Sequence, residues 1–400
     1  MTIASSSTRS GLWPGIACLF AGYVLSQFYR AFLAVLAPVL KTDLGATPED
    51  LAAASGLWFL IFAAMQVPVG MALDRIGPRR TASSLLMIGA LGAILFATAE
   101  GPLSIKFAMA LIGIGCSPVM MSGYYIFARS FPVAMFGTLA GAMVGIGNLG
   151  NIGSALPLSA AVDAIGWRGA VWVLAGVTAL IALLIAVLVR DPARIVTQEK
   201  GSLLDLLRMR ALWPLFAMMA LCYAPIAAVR GLWVGPYYAE VFGATADEIG
   251  QVTLWMGLAM VLGSFAYGPL ERVFGTRKGL ILVGNVLVLL ALIGLWAMPL
   301  AGGWVTLGLF VLFGLAGTSF PMVIAHGRAF LPAHLTGRGV TLLNLFGIGA
   351  GGVAQFITGR LSASVATPPV EAPYAAIFGF FAVTLALALV YYATSQDRTD

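Results

Sequence analysis

The stretch GMALDRIGPRR, residues 70–80, closes one long apolar run and opens the next. A second stretch, YGPLERVFGTRK at 267–278, does the same in the other half of the chain. Working outward, the echo widens. Gly45-Ala46-Thr47 followed by Glu49-Asp50 precedes the first stretch, and Gly243-Ala244-Thr245 followed by Asp247-Glu248 precedes the second. Downstream, Phe131-Pro132 and Gly137 match Leu331-Pro332 and Gly337 at an offset of 200. Landmarks repeated in the same order imply a duplicated unit with parallel topology.

What lies between the landmarks is apolar. The chain is 60% hydrophobic and 10% charged, with a mean hydropathy of +0.97, which excludes an ordinary soluble protein. Twelve stretches are long enough to span a bilayer: 14–39, 51–73, 81–99, 104–128, 136–162, 168–189, 212–239, 248–270, 279–298, 304–326, 338–361 and 372–393. They are continuously apolar, without the alternation of a transmembrane barrel, so they predict helices. The fold class expected is an all-α membrane protein, with twelve transmembrane helices in two pseudo-symmetric six-helix bundles. The expected domains are 1–189, a linker at 190–211, and 212–400. Within the linker, Ser202–Leu207 reads as a short amphipathic helix on the membrane surface. The first run is too long for a signal peptide and has no small-residue cleavage site before Lys41, so it is kept as a span. Cys18, Cys116 and Cys222 are an odd number without metal spacing and read as packing residues. No metal or cofactor is expected.

A pI near 9.4 would suit nucleic acid, but the placement of the charge argues otherwise. If both termini share one side, that side receives sixteen of the 22 Lys and Arg residues. Lys41, Lys106, Arg168 and Arg360 fall on the other side, and two arginines fall within spans. The positive-inside rule then predicts cytoplasmic termini in the cell (inner) membrane. The bilayer, not nucleic acid, is the expected partner, together with a small solute.

At this point the chain resembles the major facilitator superfamily of transporters over nearly all its length. Gly70, Asp74, Arg75, Gly77, Arg79 and Arg80 match the family's G-x-x-x-D-R-x-G-x-R-R/K signature between spans 2 and 3. Glu271, Arg272, Gly275, Arg277 and Lys278 form the counterpart between spans 8 and 9, with Glu for Asp and one inserted residue. Gly166-Trp167-Arg168 and the glycine-dense GAMVGIGNLGNIG at 141–153 are also similar. The resemblance implies alternating access, a cavity lined by spans 1, 4, 7 and 10 with its site near the midplane between the halves, and a monomer. It also implies that Asp74 meets the N-terminus of span 11, near Arg338, making the signature a latch that holds the outward-facing state. Physically this is sound, because an acid is poorly placed at its own helix's C-terminus and well placed at a neighbour's N-terminus. The plainer reading of the basic residues is anchoring at the cytoplasmic face. Two departures disfavour multidrug/proton antiport. Met109 stands where antiporters carry an arginine before Gly113-Ile-Gly115, and Pro157 follows Leu156 where they carry a Gly-Pro pair.

Two charges contradict the apolar pattern. Arg30 and Arg230 lie ten or eleven residues before Lys41 and Glu240, which at about 1.5 Å per residue is roughly half of a ~30 Å hydrocarbon core. A guanidinium stays charged at that depth, so it must face a polar cavity and meet an anion there. None of the sixteen Asp and Glu residues falls in a predicted membrane core, so a bound anion is the simplest remedy. A structural clasp to backbone carbonyls or amide side chains is the alternative. Counted back from the Gly-Ala-Thr landmark, the two arginines differ by two positions, so the site is not symmetric.

Around them, Gln27 and Tyr29 neighbour Arg30, and Tyr124 and Tyr125 lie in span 4. Trp233 and Tyr237 follow Arg230 by three and seven residues, which places them on its face of the helix. These are the candidate substrate residues, with packing or an interfacial belt as the plainer reading of each aromatic. Asn148, Asn151, Asn344 and Gln355 suit inter-helix hydrogen bonds. His326 and His334 lie near the cytoplasmic end of span 10. His326 is the candidate proton-linked group, and an ordinary loop histidine is the alternative.

There is no H-E-x-x-H, G-x-S-x-G or phosphate-cradling loop, so an enzyme is not expected. The function expected is secondary transport of a small anionic solute, an organic carboxylate above all, coupled to a counter-anion or to protons. The alternatives are an inorganic-anion porter of nitrate type, efflux of drugs or metabolites, and a non-transporting scaffold or sensor.

Overall fold

The structure, a computed structural model, describes residues 11–192, 203–331, 336–365 and 368–398. Among these there is no strand. The chain divides into two compact units, Met1–Val196 and Thr197–Asp400. The first contains α1 (Trp13–Tyr29), α2 (Phe32–Leu44), α3 (Pro48–Ile76), α4 (Pro78–Ala97), α5 (Pro102–Cys116), α6 (Val119–Ser130), α7 (Val133–Gly153) and α8 (Leu156–Leu188). The second contains α9 (Leu203–Arg208), α10 (Trp213–Ala228), α11 (Val234–Phe242), α12 (Ala246–Phe274), α13 (Arg277–Ala297), α14 (Gly303–Ala316), α15 (Phe320–Arg328), α16 (Thr336–Ser364) and α17 (Ala372–Ala393).

Among the described residues ten helices are long and apolar enough to cross a membrane, and α1 with α2, bent by 47° at their break, makes an eleventh span. The 21-residue α7 lies where the fifth span is expected. Outward faces keep large apolar side chains exposed, Leu103, Val187, Val273 and Val390 among them. Hydrocarbon accepts such a surface and water penalises it.

Local chemistry explains the helix boundaries. Proline occupies the first turn of α3, α4, α5 and α10, where its missing N–H would have had no partner. The Gly-Ala-Thr landmark is the same structure twice. Gly45 and Gly243 take left-handed conformations (φ 63° and 64°) that close α2 and α11. Thr47 and Thr245 then cap α3 and α12, each exchanging bonds in a capping box with the acid three residues on, Asp50 or Glu248. Gly166 (φ 72°, ψ 160°) turns the chain inside α8, separating the fifth and sixth expected spans.

Several spans expected to be continuous are interrupted. The first breaks at Arg30 and Ala31. The fourth breaks at Ser117 and Pro118. Proline cannot bond to the carbonyl four residues back, and the Ile114 carbonyl so released accepts Ser117 N–H and Oγ–H instead. The seventh contains a π turn, Val229–Trp233, bracketed by Pro225 and Pro236. The tenth contains a 3-10 turn at Gly317–Ser319, four residues or fewer before Pro321. Of the expected surface helix in the linker, α9 is present, with Leu206 buried and Asp205 exposed.

Helices approach closely where glycine allows it. A Cβ on Gly150 of α7 would fall 1.9 Å from the Val24 carbonyl oxygen of α1, and one on Gly113 of α5 would fall 2.7 Å from the Trp58 carbonyl oxygen of α3.

Candidate functional site

Arg30 occupies the break between α1 and α2, where the Ala31 N–H reaches back to the Phe28 carbonyl and the regular ladder stops. Its guanidinium carbon lies 5.1 Å from the Trp58 ring centroid and 4.9 Å from that of Phe62. Those two rings, one turn apart on α3, are buried and stack at 5.0 Å with an interplanar angle of 21°. A cation over aromatic faces is stabilised by their quadrupoles, by about 0.5–2 kcal/mol per contact. Sequence reasoning misses both rings, since WFLIF reads as unremarkable apolar helix. The four-residue spacing of Trp58 and Phe62 is the one available signal.

Arg230 lies inside the π turn and is only 3% exposed. A π turn inserts a residue into the helix and recurs at functional sites. It also shifts the phase of the residues downstream, so three- and seven-residue spacings no longer report Arg230's face. Trp233 and Tyr237 are wholly buried. The Trp233 indole donates to Thr358 Oγ1 at 2.9 Å, and the Tyr237 hydroxyl donates to the Pro299 carbonyl. The Tyr237 ring packs against Phe242, Phe310, Tyr374 and Phe378. The polar tips of both residues are therefore committed within their own unit. Near the end of the same helix, Glu240 accepts the Tyr374 hydroxyl.

The other expected residues have separate partners. The Tyr29 hydroxyl is 2.9 Å from Thr178 Oγ1 on α8, and Gln27 donates to the Tyr23 hydroxyl at 3.2 Å. Tyr124 packs against Phe127. Tyr125 lies under the Arg129 guanidinium at 4.0 Å. Asn151 donates to Asn148, and the three cysteines are buried and unbridged.

At the signature, Asp74 pairs with Arg129 at 3.5 Å. The side chains of Arg75, Arg79 and Arg80 are exposed, and Gly70 has only Met121 near the position of a Cβ. Gly77 takes φ 89°, and the Arg79 N–H beyond it donates to Asp191 at 2.8 Å. In the second unit Arg277 bonds Glu271 at 2.6 Å and Arg272 is exposed. The Lys278 N–H donates to Asp397 at 3.1 Å, and its ammonium donates to the Ala393 and Ser395 carbonyls. The expected neighbour of Asp74, Arg338, has its side chain outside the described residues, as does His334.

His326 is fully buried. Its Nδ1 is 2.6 Å from the Tyr392 hydroxyl and its Nε2 is 2.9 Å from the Gln396 carbonyl. Either neutral tautomer satisfies both nitrogens: one accepts from the tyrosine and donates to the Gln396 carbonyl, the other donates to the tyrosine and accepts the Arg398 N–H at 3.3 Å. The histidine thereby ties the end of α15 to the segment after α17.

The sequence profile of the Major Facilitator Superfamily matches residues 19–234. The chain belongs to the major facilitator superfamily. The probable sulfoacetate transporter SauU of Cupriavidus necator is 24% identical over 84% of this chain and 91% of its own length. Among solved structures, a bacterial homologue of the human lysosomal transporter Spinster, inward-facing and occupied, superposes with a TM-score of 0.78 at 17% identity, covering 98% of this chain and 97% of that one. A D-xylose-proton symporter does so with a TM-score of 0.78 at 15% identity, covering 96% and 98%. These structural likenesses establish the superfamily's fold. Within that fold the interruptions described above fall in spans 1, 4, 7 and 10.

Proposed function

We propose that this superfamily member is a secondary transporter of small organic anions bearing carboxylate or sulfonate groups, working by alternating access. One observation carries the reading: each unit sets a single arginine at the irregular point of its first span, Arg30 at a break and Arg230 in a π turn. An irregular turn inside a membrane protein is tolerated where it lines a polar cavity. A planar, permanently charged fork suits an oxyanion, which it can grip in bidentate fashion. Carboxylate and sulfonate groups are both such oxyanions. Sulfoacetate, the solute in the name of the Cupriavidus relative, carries one of each. The basic residues favour cytoplasmic termini in the inner membrane. Coupling proceeds by anion exchange, or by symport in which the proton rides on the substrate–arginine complex or on His326.

The test is uptake of labelled sulfoacetate, malonate, acetate and nitrate into proteoliposomes, with and without a pH gradient. Saturable uptake of an organic anion, lost in Arg30→Gln and Arg230→Gln, is expected. Uptake that survives both substitutions sinks the reading, and uptake of nitrate alone returns the function to inorganic anions.

A further inference from the structure

Ser26 Oγ and Trp58 Nε1 are buried polar atoms with no nitrogen or oxygen partner among the described residues, on residues with no exposed surface. Both come within hydrogen-bonding reach of the Cys116 thiol, which also feels the charge of Arg30, and Trp58 itself presents its ring face to that guanidinium. A serine of α1, an indole of α3 and a thiol of α5 thus meet beside the broken first span.

The ordinary fates of such donors are visible elsewhere in this chain. A hydroxyl inside a helix usually bonds the carbonyl four residues back, as Thr178, Thr253 and Thr358 do; Ser26 does not. A buried indole usually finds an oxygen acceptor, as those of Trp167 and Trp233 do; that of Trp58 meets the Cys116 sulfur instead. Cys116 is a poor remedy because a thiol accepts weakly. An indole only donates, and the serine hydroxyl is free to donate too. The corner is therefore rich in donors and short of acceptors, in a region where an unsatisfied donor is costly. An acceptor-only group completes it.

We propose that Ser26 and Trp58 are substrate-contacting, specificity-determining residues: their O–H and N–H donate to one oxyanion group of the solute, whose charge Arg30 balances. The inference rests on the organic-anion reading above. Phe62, stacked beside Trp58 and 4.9 Å from the guanidinium, helps hold the cation at this corner. A neutral solute of the same shape leaves the donors unpaired and is rejected, as sites built on buried polar groups reject analogues that cannot bond them.

Trp58→Phe keeps the ring over Arg30 and removes only the N–H; Ser26→Ala removes only the hydroxyl. Each is assayed in proteoliposomes for uptake of sulfoacetate and of malonate, and in detergent for the rise in Tm that each anion induces. One lost bond to a charged acceptor is expected to raise KM roughly tenfold while leaving kcat within about twofold, and to shrink the ligand-induced Tm rise. A change for sulfoacetate alone identifies the sulfonate as the group held; equal changes for both identify a carboxylate. Trp213→Phe, whose indole bonds the Leu207 carbonyl, is expected to leave KM unchanged. If the unaltered protein transports and both variants keep their KM, this inference is overturned and the function stands. If the unaltered protein takes up no organic anion, both are overturned. Should Trp58→Phe fail to fold, the KM of Ser26→Ala decides between the same two outcomes.

Discussion

Asp191 and Asp397 perform one task in the two units. Each follows its unit's last helix, and each accepts the backbone N–H of the second residue of its unit's third span, Arg79 of α4 or Lys278 of α13. Asp397 also accepts from Thr276 Oγ1. Capping carboxylates normally come from the residues just before a helix. Here they arrive from 112 and 119 positions away.

Removing either cap is expected to cost stability. Asp191→Ala and Asp397→Ala should each lose about 0.5–1 kcal/mol, the lower part of the range for helix caps, because both carboxylates are exposed. Thermal or denaturant unfolding in detergent reads this directly. For Asp397 the pH dependence follows as well. Burial opposes its ionisation, but hydrogen bonds from Thr276 and from the Lys278 N–H outweigh it and hold the carboxyl below its ordinary range. A depressed folded pKa gives stability that is fully present above the unfolded value of about 3.9 and is lost as pH falls through the folded value. The Asp397→Ala deficit should stay constant from about pH 7 to pH 5 and fade below about pH 4. A deficit that grows on acidification contradicts the assignment.

The arginines should not be replaceable by another cation. Arg30→Lys and Arg230→Lys keep a charge but lose the planar fork. Both are expected to lower kcat/KM for the transported anion by at least about thirtyfold, equivalent to ~2 kcal/mol. Lysine variants that transport within a few-fold of the unaltered protein would make these residues simple charges.

Gly150 and Gly141 make a matched pair on α7. A Cβ at Gly150 would collide with the Val24 backbone, whereas one at Gly141 meets nothing within 4 Å. Gly150→Ala is expected to destabilise the first unit by about 1–3 kcal/mol or more. Gly141→Ala should be neutral, or stabilising by a few tenths of a kcal/mol. Folded yield and Tm separate the two, and equal behaviour would mean that α1 and α7 pack less closely than described.

Trp233→Phe deletes one buried hydrogen bond, to Thr358, and should cost about 1 kcal/mol. Because Trp233 closes the π turn that carries Arg230, KM for the anion is expected to rise as well. Uptake kinetics alongside Tm measure both. A lower Tm with an unchanged KM would confine Trp233 to packing.

The fold was legible because its signals are redundant. Long apolar runs, the paired Gly-Ala-Thr turns and the two acid-then-basic stretches each report it independently. Arg30 and Arg230 stood out because a charge inside an apolar run violates the pattern around it. Trp58, Phe62 and Ser26 conform to that pattern, so nothing marks them until the break at Arg30 brings them together. The π turn was illegible for a different reason: Gly231 and the flanking Pro225 and Pro236 weaken the helix there, but nothing in VRGLW specifies a wide turn over a break. That turn is what undid the spacing argument for Trp233 and Tyr237. The caps from Asp191 and Asp397 are illegible in sequence because each carboxylate comes from more than a hundred residues away.

The paired Gly-Ala-Thr turns carry a mechanical consequence. In each, the glycine closes one helix and the threonine opens the next with a reciprocal box of bonds, leaving a three-residue joint with no slack. The second span of each unit is thereby coupled rigidly to the outer segment of the first, like two arms of a bell-crank. Under the alternating access proposed above, compliance would have to come from further down the first span, where the helix is interrupted by the break at Arg30 and the wide turn at Arg230. The residues that bear the charge also sit at the fulcrum.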